Sequence, residues 1–288
     1  MTNQPGVFSR RVARLAPAGA TVLGLMLLAG SAPAESAVLA RIALVADPHV
    51  NRATNGLEAT FGAHFDAVIS QVNAAKVDCV LIAGDLTQSG GPKEMEDFRR
   101  EIKKFRAPVF FVAGNHDVGN KRHAGQSGEV TAERLALYEK RLGHSFFVTK
   151  RHGVRIIGIN ASLLGSGLPE EDKQWRFLET RLARPSGPTL LLLHYPPFVK
   201  TPEEPGGGYW NLEPGPRARL LRLLRPGGVR AVLSGHLHRE VVNHADGILF
   251  VTSPPVSFGL PRGKQPEGWT LIIVPRTGEV RAEFRHID

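Results

Sequence analysis

The stretch Val109-Phe110-Phe111-Val112-Ala113-Gly114-Asn115-His116-Asp117 decides the fold. Its first part is an unbroken apolar run rich in β-branched and aromatic residues, the signature of a strand buried on both faces. A glycine then ends the run, and three polar residues with catalytic or ligating side chains follow. Sheets in α/β proteins gather their functional groups at the carboxyl ends of strands, so a buried strand ending in such a cluster points to that class.

Working outward, the same arrangement recurs four times. Arg41 to Ala46 runs into Asp47-Pro48-His49, Val77 to Ala83 into Gly84-Asp85, Thr189 to Leu193 into His194, and Arg230 to Ser234 into Gly235-His236-Leu237-His238. Further strands are predicted over Arg155 to Asn160 and Ile248 to Thr252. Helices are predicted over Phe65 to Ala75, Lys93 to Lys104, Ala132 to Leu142, Glu171 to Leu182 and Arg217 to Leu224. Trp269 to Val274 and Glu279 to Phe284, joined by Arg276-Thr277-Gly278, read as a hairpin. Strands alternating with helices make residues 35–288 a single α/β domain. Two loops are long, Val118 to Val130 and Pro196 to Pro216, and loops of that length tend to carry function.

Any one polar cluster alone would read as a cap or turn. Taken in order, Asp47, His49, Asp85, Asn115, His194, His236 and His238 form one set of carboxylates, imidazoles and an amide without sulfur, which suits manganese, iron or zinc. The set is too large for one catalytic ion with open positions. Two ions about 3.5–4 Å apart, bridged by a carboxylate, accommodate it and clamp the oxygens of an in-line displacement at phosphorus. The pairs Asp47/His49 and His236/His238 are spaced i, i+2, so on an extended backbone each pair points one way. Glycines before Asp85, Asn115 and His236 allow tight turns. His64, His123, His144, His152, His244 and His286 fall outside the clusters and are given no role.

The 288 residues are 42% hydrophobic and 22% charged, an ordinary globular composition. Cys79 is the single cysteine, which excludes an internal disulfide and a thiolate-rich zinc cluster, and its apolar neighbours make it a small buried hydrophobe. Residues 1–34 read as an export signal, with Arg10, Arg11 and Arg14, the apolar stretch Val22 to Ala29 and the ending Ala32-Pro33-Ala34. Arg10-Arg11 partly resembles a twin-arginine signal, although Ala13 and Arg14 stand where that pattern has Phe and Leu. Cleavage after Ala34 and a periplasmic or secreted location are expected, the other reading being an uncleaved membrane anchor. Without the leader, 33 basic residues face 27 acidic ones, so the formal +9 becomes +6. That excess is dispersed, which favours anionic substrates in general and argues against a nucleic-acid partner.

The motifs D-x-H, G-D, G-N-H-D, a lone H and G-H-x-H together resemble the calcineurin-like metallophosphoesterase superfamily over most of Arg41 to Asp288. The resemblance implies a four-layer αββα sandwich of two mixed β-sheets. It also implies one metal held by Asp47, His49, Asp85 and His238 and another by Asp85, Asn115, His194 and His236. His116 would then contact the phosphoryl group and protonate the leaving oxygen, with a metal-activated water as nucleophile and no covalent intermediate. Asp117 is a candidate for supporting the ligands or for a local cap, and Tyr209 and Trp210 are candidates for contacting substrate or anchoring their loop. Leu86-Thr87-Gln88 lacks the Asp-Arg-Gly that follows this aspartate in the phosphoprotein phosphatases, and Gln88 replaces a tyrosine ligand of purple acid phosphatases. Tyr209-Trp210-Asn211-Leu212, Arg217 and Leu220-Leu221 resemble the subfamily around calcineurin-like phosphoesterase domain-containing protein 1. That implies a phosphomonoesterase, with a protein phosphatase acting on phosphoserine or phosphothreonine as one form of it, and a small-molecule or peptide phosphoester is the expected partner. The class III cyclic-nucleotide phosphodiesterases share the motifs and make diester hydrolysis the alternative; a metal-binding protein without turnover is the non-enzyme reading.

Overall fold

Alternation along the strands explains the layering. The computed structural model describes residues 38–123, 127–206 and 208–287. In β1 (Val38–Val45), Ile42 and Leu44 face one way and Ala43 and Val45 the other, and both sets are buried. β2 (Cys79–Ile82) and β3 (Val109–Phe111) lie parallel beside it, and β10 (Gly268–Pro275) and β11 (Arg281–His286) extend the sheet antiparallel on its other side. The first sheet is therefore ordered β11-β10-β1-β2-β3.

A second sheet takes the order β4-β5-β6-β7-β9-β8, from Phe147–Arg151, Val154–Gly158, Thr189–Leu192, Val229–Ser234, Ile248–Thr252 and Val241–Ala245 respectively. Its four central strands are parallel and its two edges antiparallel, so both sheets are mixed. Ile42, Leu44 and Leu81 of the first sheet pack against Ile156, Leu190, Leu192 and Leu233 of the second. Cys79 lies in this inter-sheet layer, where burial pushes its thiol up to about 12, so it is an inert hydrophobe.

Helices cover the outer faces. On the first sheet, α1 (Phe61–Ala75), α2 (Pro92–Glu101) and α4 (Ala132–Leu142) bury Phe65, Val68, Met95, Phe98, Leu135 and Tyr138 against Ala43, Val45, Val80 and Ile82. On the second, α5 (Pro169–Leu182) and α6 (Pro214–Leu224) bury Trp175, Leu178, Leu220 and Leu224 against Ile157, Leu191 and Val232. This is the four-layer αββα sandwich. Residues Ser36–Asp288 form one compact unit.

Several boundaries differ from the sequence expectation. α2, α5 and α6 begin at Pro92, Pro169 and Pro214, earlier than predicted, because proline is preorganised for the first helical position. α1 begins four residues early, at Phe61, whose ring is buried. The last turn predicted for α2 is a 3₁₀ turn over Ile102–Lys104. β4, β8 and the short α3 (Asn115–Val118) were not predicted. The export segment expected over 1–34 lies outside the described residues.

Candidate metal centre

The polar clusters come from both sheets. Asp47 and His49 follow β1, Asp85 follows β2, and Asn115 opens α3 after β3; His194 follows β6, and His236 and His238 follow β7. Thus the strands carrying them do not all lie side by side in one sheet, and the clusters meet where the carboxyl ends of two packed sheets come together. All seven side chains are buried, none more than 6% exposed.

The backbone at the ligands is unlike the extended form expected of the i, i+2 pairs. Asp47, His49, Asp85, His236 and His238 all have positive φ, from 46° to 70°. Non-glycine residues rarely adopt this left-handed conformation, and strain of that kind concentrates at functional sites. The chain leaves each strand and turns sharply, and this turn rather than the strand pleat aims the side chains inward. One pair also divides: His238 joins Asp47, His49 and Asp85, whereas His236 joins Asp85 and His194, with the ligating atoms of each group within 4.8 Å of one another. Close approach requires the neighbouring glycines. Gly84 has φ +87°, and a Cβ on it would lie 2.6 Å from Nδ1 of His194; a Cβ on Gly114 would meet the Asp85 backbone nitrogen at 2.1 Å.

Each imidazole is oriented through its outer nitrogen. His49 Nδ1 donates to Oε1 of Gln88 at 2.8 Å, His238 Nδ1 to the Phe258 carbonyl at 2.6 Å, His194 Nδ1 to the Ala83 carbonyl at 2.7 Å, and His236 Nε2 to the Tyr209 carbonyl at 3.2 Å. The opposite nitrogens consequently turn lone pairs inward. Nε2 of His49 is 3.3 Å from Nε2 of His238, and Nε2 of His194 is 3.2 Å from Nδ1 of His236 and 2.9 Å from Oδ1 of Asn115. Oδ2 of Asp85 lies between the groups, 3.5 Å from His49 Nε2 and 3.3 Å from His194 Nε2. Acceptors facing acceptors at such distances repel unless cations or protons sit among them, so these residues fit a pair of metal ions sharing Asp85.

Electrostatics divide the same site into groups that are proton-free and groups that hold protons. Burial drives the imidazoles down, His49 to about 3, His238 to about 4 and His236 well below its ordinary value, leaving them neutral as ligands must be. His194 is also disfavoured by burial, yet the Asp85 and Asp47 carboxylates outweigh this and raise it to about 9. Burial lifts Asp47 to about 8. Asp85 resists the same burial because His194, His116 and His49 hold it well below the usual carboxylate range.

His116 stands beside the ligands. Its backbone N–H donates to Oδ1 of Asp85 at 2.9 Å, its Nδ1 to the Gln88 carbonyl at 2.6 Å, and its ring centroid lies 4.6 Å from that of His49. Asp117 both caps and braces: its carboxylate accepts from the backbone of Gly114, Leu86 and Thr87 and from the Thr87 hydroxyl, tying the Asp85 turn to the Asn115 turn. The Tyr209 hydroxyl accepts from the Asn115 amide at 3.1 Å, leaving Oδ1 of Asn115 to face the centre. Trp210 is 45% exposed, its ring 5.1 Å from that of Tyr209.

Gln88, Phe258, Ala83 and Tyr195 were not anticipated as supports. Gln88 attracted notice in the sequence only as a departure, and two of the others act through backbone carbonyls that any residue type offers. The ring of Tyr195 packs 4.0 Å from that of His236. Among the histidines given no role, His64 holds the Ser257 carbonyl, His152 faces Asp78 and His286 pairs with Glu240.

Comparison with known proteins agrees with this geometry. Residues 40–240 match the calcineurin-like phosphoesterase family. A Danio rerio protein named serine/threonine-protein phosphatase CPPED1 is 30% identical over 68% of this chain and 64% of its own, so this chain spans just under two thirds of that relative. A Synechococcus protein named as a probable cyclic nucleotide phosphodiesterase is 28% identical over 77% of this chain and 82% of its own. Among solved structures, the purple acid phosphatase PPD1 from yellow lupin superposes with a TM-score of 0.63 over 88% of this chain and 52% of that one, at 16% identity, a likeness of fold alone. By its matched residues the chain belongs to the calcineurin-like phosphoesterase family.

Proposed function

We propose that the chain is a two-metal phosphomonoesterase, and the convergence of inward-facing imidazole nitrogens on Asp47 and Asp85, with His116 alongside, carries the reading. These residues would hold manganese, iron or zinc, which would supply Lewis acidity for water activation and for charge on the phosphoryl oxygens. The protein's own part is positional and protonic. Asp85 spans the two ligand groups, and Asp117 and Tyr209 hold the Asp85 and Asn115 turns in register. With Nδ1–H of His116 committed to the Gln88 carbonyl, Nε2 is the nitrogen that delivers a proton to the departing oxygen.

Monoester hydrolysis is preferred because the segment resembling the phosphomonoesterase subfamily is the one built around the site. Tyr209 touches Asn115 and His236, and Asn211 and Arg217 hold Glu204 within the same loop. The zebrafish relative named as a phosphatase supports this reading, and the Synechococcus relative supports diester hydrolysis as the second. Assaying the Mn²⁺-loaded chain on phenyl phosphate and diphenyl phosphate separates them. Higher kcat/KM on the monoester is expected, and a clear diester preference would replace the first reading with the second.

The chain is further proposed to act outside the cytoplasm on small phosphoesters or phosphopeptides, with no nucleic-acid partner. The arginines, apolar stretch and Ala-Pro-Ala ending within residues 1–34 support this. Among the described residues no helix is long and apolar enough to cross a membrane. Amino-terminal sequencing of the exported protein should begin at Glu35; an intact leader recovered with membranes would make it an anchor instead.

A further inference from the structure

On the His116 side the centre opens into a cleft of about 310 Å³ lined by Gln88, Ser89, Asn115, His116, Arg134 and Tyr209, among others. Arg134 lies in the first turn of α4, half-buried, and its Nη2 donates to the His116 carbonyl at 2.9 Å. That bond uses one of the five guanidinium donors. Among the described residues no carboxylate lines the cleft or stands within ion-pair distance of Arg134. Glu94, near its edge, is already held by the Ser89 N–H and hydroxyl at 2.8 and 2.7 Å. Gly90 makes room for the guanidinium: it has φ +70°, and a Cβ there would lie 3.2 Å from Nη2 and 2.8 Å from the His116 carbonyl oxygen. The cation is thus held against the backbone of the residue that serves the leaving oxygen.

We propose that Arg134 selects esters whose leaving alcohol carries a second anionic group, a carboxylate or a phosphate. The inference rests on the reading of His116 as the acid for the leaving oxygen, since that places the leaving group in this cleft. An unpaired guanidinium there attracts anions and offers a planar fork matched to either group. Arg134 touches no reacting atom; it determines which alcohol is accepted.

The test compares phenyl phosphate, 3-carboxyphenyl phosphate and 1,3-phenylene bisphosphate on the Mn²⁺-loaded full chain by release of inorganic phosphate. A charge-assisted contact should raise kcat/KM for the charged esters about tenfold over phenyl phosphate. That ratio should fall towards one in Arg134→Gln and be largely kept in Arg134→Lys. A gain confined to the carboxylate or to the bisphosphate identifies which anion is selected. A role limited to bracing the His116 carbonyl would lower all esters alike and leave the ratio intact in Arg134→Gln, and that result, or a ratio near one in the unaltered chain, overturns the proposal. Binding of 3-hydroxybenzoate against phenol, followed by NMR titration, makes the same comparison without turnover. There the carboxylate should bind more tightly in the unaltered chain and lose that advantage in Arg134→Gln, and equal binding in the unaltered chain or a preference surviving Arg134→Gln overturns the inference. An inactive preparation would therefore count against the proposed hydrolysis while this arm still decides the role of Arg134.

Discussion

On the proposed reading Asp85 and His116 are neighbours with separable duties, and mutation should part them. Asp85 presents Oδ2 to both ligand groups, so Asp85→Asn removes the one charge they share; metal content should fall and turnover become undetectable. His116 contributes no atom to either ligand group, so His116→Gln should keep the metals and lower kcat by about 10²–10⁴, the usual worth of a general acid. Metal analysis beside initial rates checks both, and equal metal loss in the two variants would dissolve the distinction. At this scale the candidate ligands stood out because metal chemistry restricts them to few residue types, and six of them fall in the two spatial groups that could hold ions. The reason they converge was not legible. Positive φ at Asp47, His49, Asp85, His236 and His238 leaves no compositional mark, because the strain is imposed by tertiary contacts and the residues are fixed by what they bind. Equally silent were the carbonyls of Ala83, Phe258 and Tyr209 that set the histidine tautomers.

Among the elements, the central strands were read, as were β3, which proves to be a half-buried edge strand and not one buried on both faces, and β11, found through its hairpin; the edges of the second sheet were missed, for a physical reason. β2 and β6 are buried at every position, so each is a continuous apolar run that stands out from its surroundings. β4, Phe147-Val148-Thr149-Lys150-Arg151, and β8, Val241-Val242-Asn243-His244-Ala245, alternate between half-buried and exposed, and a search for unbroken apolar runs passes over them. Helix starts were missed in a similar way. Searching for apolar periodicity finds Phe65, Glu171 and Arg217 but overlooks Pro169 and Pro214, which contribute preorganised backbone instead of a buried side chain. The long loop after β6 shows the same limit, since one carboxylate links several of its described residues. Glu204 accepts from the backbone of Val199 and Lys200 at 2.7 and 2.8 Å and is met by Asn211 and Arg217, a clasp that no local propensity signals.

Across the whole molecule the candidate metal centre joins the two sheets, since Asp47, His49, Asp85 and Asn115 follow strands of one and His194, His236 and His238 follow strands of the other. Ions that bind only the folded arrangement must therefore stabilise it, by about 2.7 kcal/mol at a free concentration a hundredfold above Kd. For a domain of this size that is on the order of 5–10 °C in Tm. The gain should grow with pH, and its sign follows from the groups that must lose protons. Without metal, His194 is raised from 6.5 to about 9 and Asp47 from 3.8 to about 8, so the folded chain binds more protons than the unfolded chain between pH 6.5 and 8. Stability then falls as pH rises through that window, by about 1.4 kcal/mol per pH unit for each proton concerned. His49 and His238, lowered to about 3 and 4, act oppositely but only below their unfolded value of 6.5, so they do not offset the loss above it. Bound cations replace those protons and remove the penalty. Melting curves of the chelated and Mn²⁺-loaded chain at pH 6.5 and 8 should therefore diverge more at pH 8. A stabilisation equal at both values would mean that the ions displace no protons and that His194 and Asp47 are not the groups they bind.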